Sequence, residues 1–423
     1  MTGLAPSALL VTAPPTILGG VSVQTRGLAT FLRARGYRVT IAHYAALRTE
    51  GELTVPVRRL LVGGRPGLRR YKVWDGFDSI AIGCRLPELE VTYYGDSPLW
   101  RDVIAAHDRH IAVGGNALVA APLAASGLAH LVWCASDVQG DRIDRQNAMS
   151  SARRLFDRTV VSPLLRRLER RVLGGCGTFA TISGASARSL DAIGPSAGKA
   201  FDVLPIPVDP IRFSPPGAPP DPGVVGIAGR HTDPRKNAVL ALEAVATARR
   251  RGAKISLRVA GHVSDDLRAQ ADSLGVADAV EFLGTLTNED LPGFYRGLDV
   301  LLIPSRQEGL NIAGLEAGAC GVPVVTTRCG GPEDYVIDGE TGFVTGFDPS
   351  EIAGRLCDIS ATRALRERLS RNLRARVTVE YGDARFADKL CQLWRSIWNE
   401  PLLAESQPAI VDAAGPGAHT PQC

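Results

Sequence analysis

Two acids and two cations hold the chemistry that this sequence offers most plainly. Glu308 and Glu316 stand on either side of a helix start in SRQEGLNIAGLEAGACGVPVV (305–325), with seven residues between them. Upstream, the loop GRHTDPRKN (229–237) carries Arg230 and Lys236. A carboxylate accepts hydrogen bonds from two adjacent hydroxyls, which suits a sugar or a ribose. A guanidinium grips phosphate in two-pronged fashion, and an ammonium acts on it as a point charge. A helix mouth at Asn311–Ile312 adds free N–H groups and the positive end of the helix dipole, so it suits an anion. The plainer reading is a solvated loop acid, a surface helix acid and a solvated basic loop. Gly309, Gly314, Ala317 and Gly318 weigh against it. Glycine inside a helix costs about 1 kcal/mol relative to alanine. Two in one short helix therefore imply close backbone approach, to a ligand or to a packed neighbour.

Positioning these groups takes a strand, a tight loop, a helix and a second strand. Asp299–Pro304 (DVLLIP) reads as the first strand. Asn311 reads as an N-cap and Ile312–Cys320 as the helix. Gly321 is a stop, with Pro323 just beyond it, and Val322–Thr327 is the next strand. Strands at Val224–Ala228, Ile255–Ala260, Val280–Leu283 and Val300–Pro304 alternate with helices at Ala238–Arg250, Ser264–Leu274 and Asn288–Gly297. That alternation predicts a doubly wound parallel sheet with right-handed crossovers. Ligands of such sheets bind outside the carboxyl ends of the strands.

The first half opens the same way, with a strand at Ala8–Ala13, a helix at Ser22–Arg35 and a strand at Tyr37–Ala42. Gly19-Gly20 in that crossover suits an anionic ligand, although the G-x-G-x-x-G dinucleotide fingerprint is absent. Arg109–Gly114, Leu131–Ala135 and Phe179–Ser183 read as further strands. Asn116 and Asp137, polar residues at strand ends, are candidates for acceptor contacts. The expected organisation is an α/β chain with a first domain at 1–205 and a Pro/Gly-rich linker at 206–222. A second domain follows at 223–380, closed by a helix over Ala353–Arg376. The amphipathic helix Asp383–Trp398 falls within 381–400, and 401–423 reads as a disordered tail.

Composition sets the outer bounds. With 423 residues, 45% hydrophobic and 22% charged, the chain is of globular type and long enough for two domains. No apolar run is long enough to span a bilayer, and no signal-peptide pattern opens the chain, so a cytoplasmic location is expected. Eight scattered cysteines form no C-x-x-C pair, which points to neither a disulfide framework nor a zinc site. The net charge of +4 argues against bulk nucleic-acid binding. Two local basic clusters stand out, Arg58–Lys72 and the amphipathic stretch Leu164–Leu173. Each reads most simply as a solvated face. The sharper reading is docking to an anionic membrane surface or an acidic acceptor.

Glu308-Gly309 and Glu316, followed by GACGVPVV and GGPEDYVIDGETGFV, resemble the signature of retaining nucleotide-sugar glycosyltransferases of family 4. The resemblance implies the GT-B architecture: two Rossmann-like domains facing across a cleft, the first for the acceptor and the second for the donor. It also implies that the helix Asp383–Trp398 crosses back to the first domain. The donor site would comprise Gly20, Arg230, Lys236, Glu308, Gly309, Asn311, Ile312 and Glu316. Arg230, Lys236 and Glu308 would act in catalysis, with Arg235 as a substitute for Lys236. The implied reaction moves a sugar from a nucleotide diphospho-sugar to the hydroxyl of a saccharide, lipid-linked or small-molecule acceptor, with retention of configuration. No cofactor is implied, and without a D-x-D pattern no metal is expected. The histidine that the family places beside the reacting carbon falls on Val113 here, and His110 lies three residues upstream inside a strand. A nucleotide-sugar epimerase, a glycosyl phosphorylase and a non-catalytic nucleotide-sugar-binding protein are alternatives on the same fold.

Overall fold

Strands dominated by valine, isoleucine, leucine and alanine assemble into two separate sheets. The computed structural model describes residues 5–16, 19–147, 149–193, 201–217 and 222–405. The first sheet comprises β1 (Ser7–Thr12), β2 (Arg38–Tyr44), β3 (Leu68–Val73), β4 (Phe77–Ile82), β5 (Arg109–Gly114), β6 (Leu131–Cys134), β7 (Thr178–Thr181) and β8 (Asp202–Val203), in the order β3-β4-β2-β1-β5-β6-β7-β8. The second comprises β9 (Val224–Ala228), β10 (Ser256–Ala260), β11 (Val280–Gly284), β12 (Val300–Ile303), β13 (Val324–Thr327) and β14 (Gly342–Thr345), in the order β11-β10-β9-β12-β13-β14. Neighbours pair in parallel throughout, apart from the antiparallel β3–β4 ribbon. β1, β6, β12 and β13 are buried along their whole length, as strands covered by helices on both faces must be. The architecture is GT-B, two Rossmann-like lobes.

Each sheet reverses its strand order at one point, between β1 and β5 in the first lobe and between β9 and β12 in the second. Loops leaving the carboxyl ends of such a pair diverge to opposite faces and open a crevice between them. Those four loops carry Gly19-Gly20, Gly115-Asn116, Arg230–Lys236 and Ser305–Asn311.

The chain returns to the first lobe at its end. The helix Asp383–Trp398 sets Phe386 edge-on to Phe31 at 5.2 Å and against Trp133 at 5.5 Å, and Trp394 meets Tyr37 at 5.1 Å. Glu400 then grips Arg109 through two bonds, and Leu402 is buried. The tail expected from residue 401 onward is therefore docked at its start; 406–423 lie outside the described residues. The Pro/Gly-rich connection is likewise packed, with Ile206, Val208 and Phe213 in the core.

The structure differs from the sequence expectations at several other points. Arg58–Lys72 contains strand β3, where Arg69 pairs with Glu50 and Glu52 and Lys72 with Asp78. The acids that neutralise this cluster come from neighbouring segments. A further two-residue strand, β8, which the sequence reading left out, pairs beside β7 and ends the first sheet. Ala353–Arg376 is two helices, Pro349–Ala361 and Arg363–Glu380, broken at an extended Thr362.

The glycines of the helix Ile312–Ala319 serve packing. A Cβ on Gly314 would collide with the hydroxyl of the buried Tyr335, and one on Gly318 would lie 3.0 Å from Leu373 and Val377. Gly314→Ala is expected to destabilise the second lobe by about 1–3 kcal/mol. Urea unfolding would show it, and Tyr335→Phe in the same chain should recover part of the loss by removing the colliding oxygen.

Candidate active site between the lobes

A cavity of about 420 Å³ lies where the two reversal points face each other. Its first-lobe wall includes Gly19, Gly20, Tyr44, Trp74, Glu90, Tyr94 and Asn116, and its second-lobe wall Arg230, Asp233 and Arg235. Gly19 has φ +152°, a conformation that excludes most side chains, and a Cβ at Gly19 or Gly20 would meet open space. The helix mouth at Gly20 is therefore bare towards the cavity. Arg230 faces it with 60% of its side chain exposed, and Asp233, its one acidic neighbour among the described residues, is 3.9 Å away.

Beside this cavity sits a tight polar cluster. Glu308 Oε1 accepts from Ser305 Oγ at 2.5 Å, Lys236 Nζ at 2.7 Å and Asn311 Nδ2 at 2.9 Å. Asn311 holds a left-handed backbone (φ 64°), and its Oδ1 caps the amide of Gly314 at 3.0 Å. Asparagine tolerates that conformation better than most residues. Tyr335 fixes it from below by donating to the Asn311 carbonyl at 3.1 Å. The Glu308 backbone is clamped as well: its amide donates to the Cys329 carbonyl, and its carbonyl accepts from the Gly331 amide. Lys236, Asn311, Ser305 and His231 line a small recess at the carboxyl end of β9 and β12.

The residues singled out in the sequence thus divide. Lys236, Glu308 and Asn311 are brought together, with Ile312 opening the helix beside them. Gly20, Asn116 and Arg230 line the large cavity. Arg235 lines it too, but its guanidinium is clamped by Asp233 at 2.8 Å. Glu316 lines neither cavity. It sits one turn further along its helix and accepts from the Tyr295 hydroxyl at 2.7 Å. Gly309 faces the first lobe, where a Cβ would stand 3.0 Å from the Ala135 carbonyl oxygen and 3.1 Å from Ile182. Its missing side chain lets the lobes meet.

Asp137 does not face the cavity. It is buried, accepts from the Gly140 amide at 2.8 Å and bonds Ser189, so it braces the turn into the next helix. His110 is buried in β5 with Nε2 on the Ile104 carbonyl at 2.9 Å, and burial lowers its pKa. Sequence reasoning missed the aromatic wall of Tyr44, Trp74 and Tyr94. The adjacent pair Tyr93-Tyr94 was a usable signal; Trp74 was hidden in the unrecognised β3–β4 turn. It also missed His231, whose Nε2 meets the Ala260 carbonyl while its buried Nδ1 has no partner among the described residues. Burial holds its pKa down at about 4.

Residues 211–376 match the family described as Glycosyl transferases group 1. The matched stretch covers nearly all of the second lobe. The chain is 34% identical over 224 residues to a GDP-mannose-dependent alpha-(1-6)-phosphatidylinositol monomannoside mannosyltransferase of Mycolicibacterium smegmatis, covering 47% of this chain and 57% of that protein. It is 46% identical over 91 residues to a D-inositol 3-phosphate glycosyltransferase of Acidothermus cellulolyticus, covering 21% and 20%. The chain thus spans little more than half the length of the first of these relatives and a fifth of the second. Sucrose-phosphate synthase from Thermosynechococcus elongatus shares the fold with a TM-score of 0.67 at 19% identity, over 93% of this chain and 99% of that one. WaaG, a glycosyltransferase involved in lipopolysaccharide biosynthesis, does so with 0.64 at 18%, over 93% and 100%. The family match takes in Arg230, Lys236, Glu308 and Glu316.

Burial pushes the Glu316 carboxyl up from an ordinary 4.5 to about 7, and the bond from Tyr295 opposes the rise. A carboxyl raised in the folded state adds stability below its unfolded value and loses it as pH climbs through its folded value. Between about pH 5 and pH 8 the thermal midpoint of the wild type should therefore fall further than that of Glu316→Gln. Parallel falls would mean that Glu316 titrates as a solvated acid.

Proposed function

We propose that the chain is a retaining glycosyltransferase that moves a sugar from a nucleotide diphospho-sugar to an acceptor hydroxyl without a metal ion. The observation that carries the proposal is the facing of two sheet-reversal crevices, one bare and glycine-lined, the other cationic, with the Lys236–Glu308–Asn311 cluster at its edge. The second lobe, residues 223–380, takes the donor, and the first lobe, residues 1–205, takes the acceptor.

The donor diphosphate lies between Arg230, Lys236 and the Asn311–Ile312 amides, with the Gly20 helix mouth opposite. Glu308 Oε1 is already committed to three donors, so Oε2 is assigned to the sugar hydroxyls. Glu316 exchanges its Tyr295 bond for the ribose hydroxyls. As the bond from the anomeric carbon to the phosphate oxygen breaks, negative charge grows on the diphosphate. The fixed cations and amides meet that charge without reorganising. The acceptor oxygen attacks from the same face, and its proton passes to the departing phosphate oxygen. Val113 has no proton to offer and His110 is sequestered in β5, so neither is given a role. Asn116 and the Tyr44–Trp74–Tyr94 wall position the acceptor, whether saccharide, lipid-linked or small molecule. The reading includes peripheral contact with an anionic membrane from the cytoplasmic side. Among the described residues no helix is long and apolar enough to cross one.

Glu308→Gln and Arg230→Ala should each lower transfer by roughly 10²–10³ while circular dichroism stays unchanged. Turnover close to wild type in either variant would refute its role. A chelator should leave the rate unaltered; a rate restored only by added divalent metal would overturn the metal-independent step. Screening nucleoside diphosphates and their sugars by thermal shift identifies the donor through the stabilisation that a bound ligand adds.

A further inference from the structure

One short turn of the second lobe touches both the first lobe and the loop that carries Glu308. Residues 330–335 (GGPEDY) follow β13 and pack against Glu308–Asn311. The Gly331 amide donates to the Glu308 carbonyl at 3.0 Å, and a Cβ at Gly331 would collide with the Gly309 carbonyl oxygen. At the other end of the turn the buried Tyr335 donates to the Asn311 carbonyl at 3.1 Å. The turn thus holds the loop at both its ends. Asp334 lies between these two holds and has no part in the proposed transfer.

The Asp334 side chain reaches into the other lobe. Its carboxylate accepts from the Gly184 amide at 2.6 Å and from the Ala185 amide. These amides open the first-lobe helix Gly184–Asp191, where free N–H groups and the dipole favour a carboxylate. Ser183 Oγ takes the next amide in need, that of Ser186, at 3.0 Å. A carboxylate of one lobe therefore completes the helix cap of the other. The contact is close: a Cβ at Gly184 would stand 3.3 Å from Asp334 Oδ1, and one at Gly330 3.5 Å from the Ala185 Cβ. The Asp334 carbonyl, by contrast, is held in its own lobe by Arg376 at 2.8 Å. One residue is thus fastened to both lobes, and its chain neighbour is Tyr335.

We infer that Asp334 is a positioning residue that ties the Glu308–Asn311 loop to the first lobe. With its carboxylate on the helix Gly184–Asp191, the turn 330–335 is seated and both loop carbonyls are held. With that grip released, the turn is free to shift, and the holds at Glu308 and Asn311 loosen together. Hydrogen bonds weaken steeply as their angles open, so a small displacement of the turn is enough. Coupling of this kind is reciprocal: a ligand that binds the held loop strengthens the grip by as much as the grip strengthens the ligand. Where the loop takes a nucleoside diphosphate, donor affinity then depends on a helix of the acceptor lobe that lies outside the donor site. That consequence rests on the proposed transfer; the tie between Asp334 and the loop does not.

The test attacks the contact from each lobe in turn, in the full chain. Asp334→Ala removes the carboxylate, and Gly184→Pro removes the nearer amide. Proline is well accepted at the first position of a helix, and Ser183 before it is already extended, so the helix should persist. Without any ligand, amide exchange across 308–314, followed by mass spectrometry, should quicken by roughly tenfold in each variant and stay unchanged in β9 and β12. Binding of uridine or guanosine diphosphate, followed by calorimetry, should weaken by roughly tenfold in each. The double variant should go no further than either single one, because both break the same contact. Asp334→Asn still accepts from both amides and should recover most of the loss. Unchanged exchange across 308–314 in Asp334→Ala overturns the inference. An effect of Asp334→Ala without one of Gly184→Pro would make Asp334 a brace within its own lobe and overturns the tie, as do effects that add in the double variant. A loosened 308–314 in a chain that binds neither nucleotide would leave the tie standing and remove the donor reading.

Discussion

The ion pair between Lys236 and Glu308 ties together the two loops on which the second lobe's crevice depends. Lys236 ends the loop after β9, and Glu308 lies in the loop after β12, the two strands between which the sheet reverses. Only 9% of the Glu308 side chain and 22% of that of Lys236 remain exposed. Charges this sheltered are costly to leave unpaired, so removing either partner strands the other. Three donors converge on one carboxylate oxygen, and two backbone bonds hold the segment from behind. The loop is therefore a rigid bracket, and the left-handed Asn311 and the helix mouth beside it are set by that bracket.

From the bracket the geometry spreads outward. Glu308 is followed by Gly309, which presses on the first lobe at Ala135 and Ile182. Close by, the Gly184 amide donates to Asp334 at 2.6 Å, and burial raises the pKa of that carboxyl. These contacts fix how near the lobes stand on one side of the cavity. The return helix Asp383–Trp398 fixes the other side through Phe386 and Trp394. Pinned on both sides, the gap between the lobes thus keeps a defined width.

Much of this was legible in the sequence, because the signals were local. Strand–loop–helix alternation, the Asn311 cap and the Gly321 stop are written within a few residues, and the structure places them within one or two positions. What escaped depends on contacts distant in sequence. β3 and β14 are short or charge-rich, and pairing alone defines them. Thr362 breaks a helix that composition would have continued. Asp137 looked like a cleft residue because it follows a strand. Ser189 and the Gly140 amide, which turn it inward, become visible only in three dimensions. Gly314 and Gly318 were correctly read as sites of close approach, yet whether ligand or protein did the approaching waited on Tyr335 and Leu373. Residue types therefore located the elements well and assigned their packing roles poorly.

The two walls of the cavity differ in kind, and the difference bears on how the proposed transfer tells its two substrates apart. The second-lobe wall presents cations whose fields reach across the gap, so an anionic substrate is drawn to it before the fit is close. The first-lobe wall presents Tyr44, stacked on Tyr93 at 4.9 Å, with Tyr94 edge-on at 5.5 Å and Trp74 nearby. Aromatic faces act only at contact and favour flat apolar surfaces of the kind a sugar ring offers. In the proposed transfer, charge on one side and shape on the other would separate two ligands that both carry many hydroxyls. Glu90 lies on this aromatic side and is held by Arg142 at 2.6 Å; Arg142 is itself bonded to the buried Asp157, so a sheltered ion pair behind the wall sets where the Glu90 carboxylate stands.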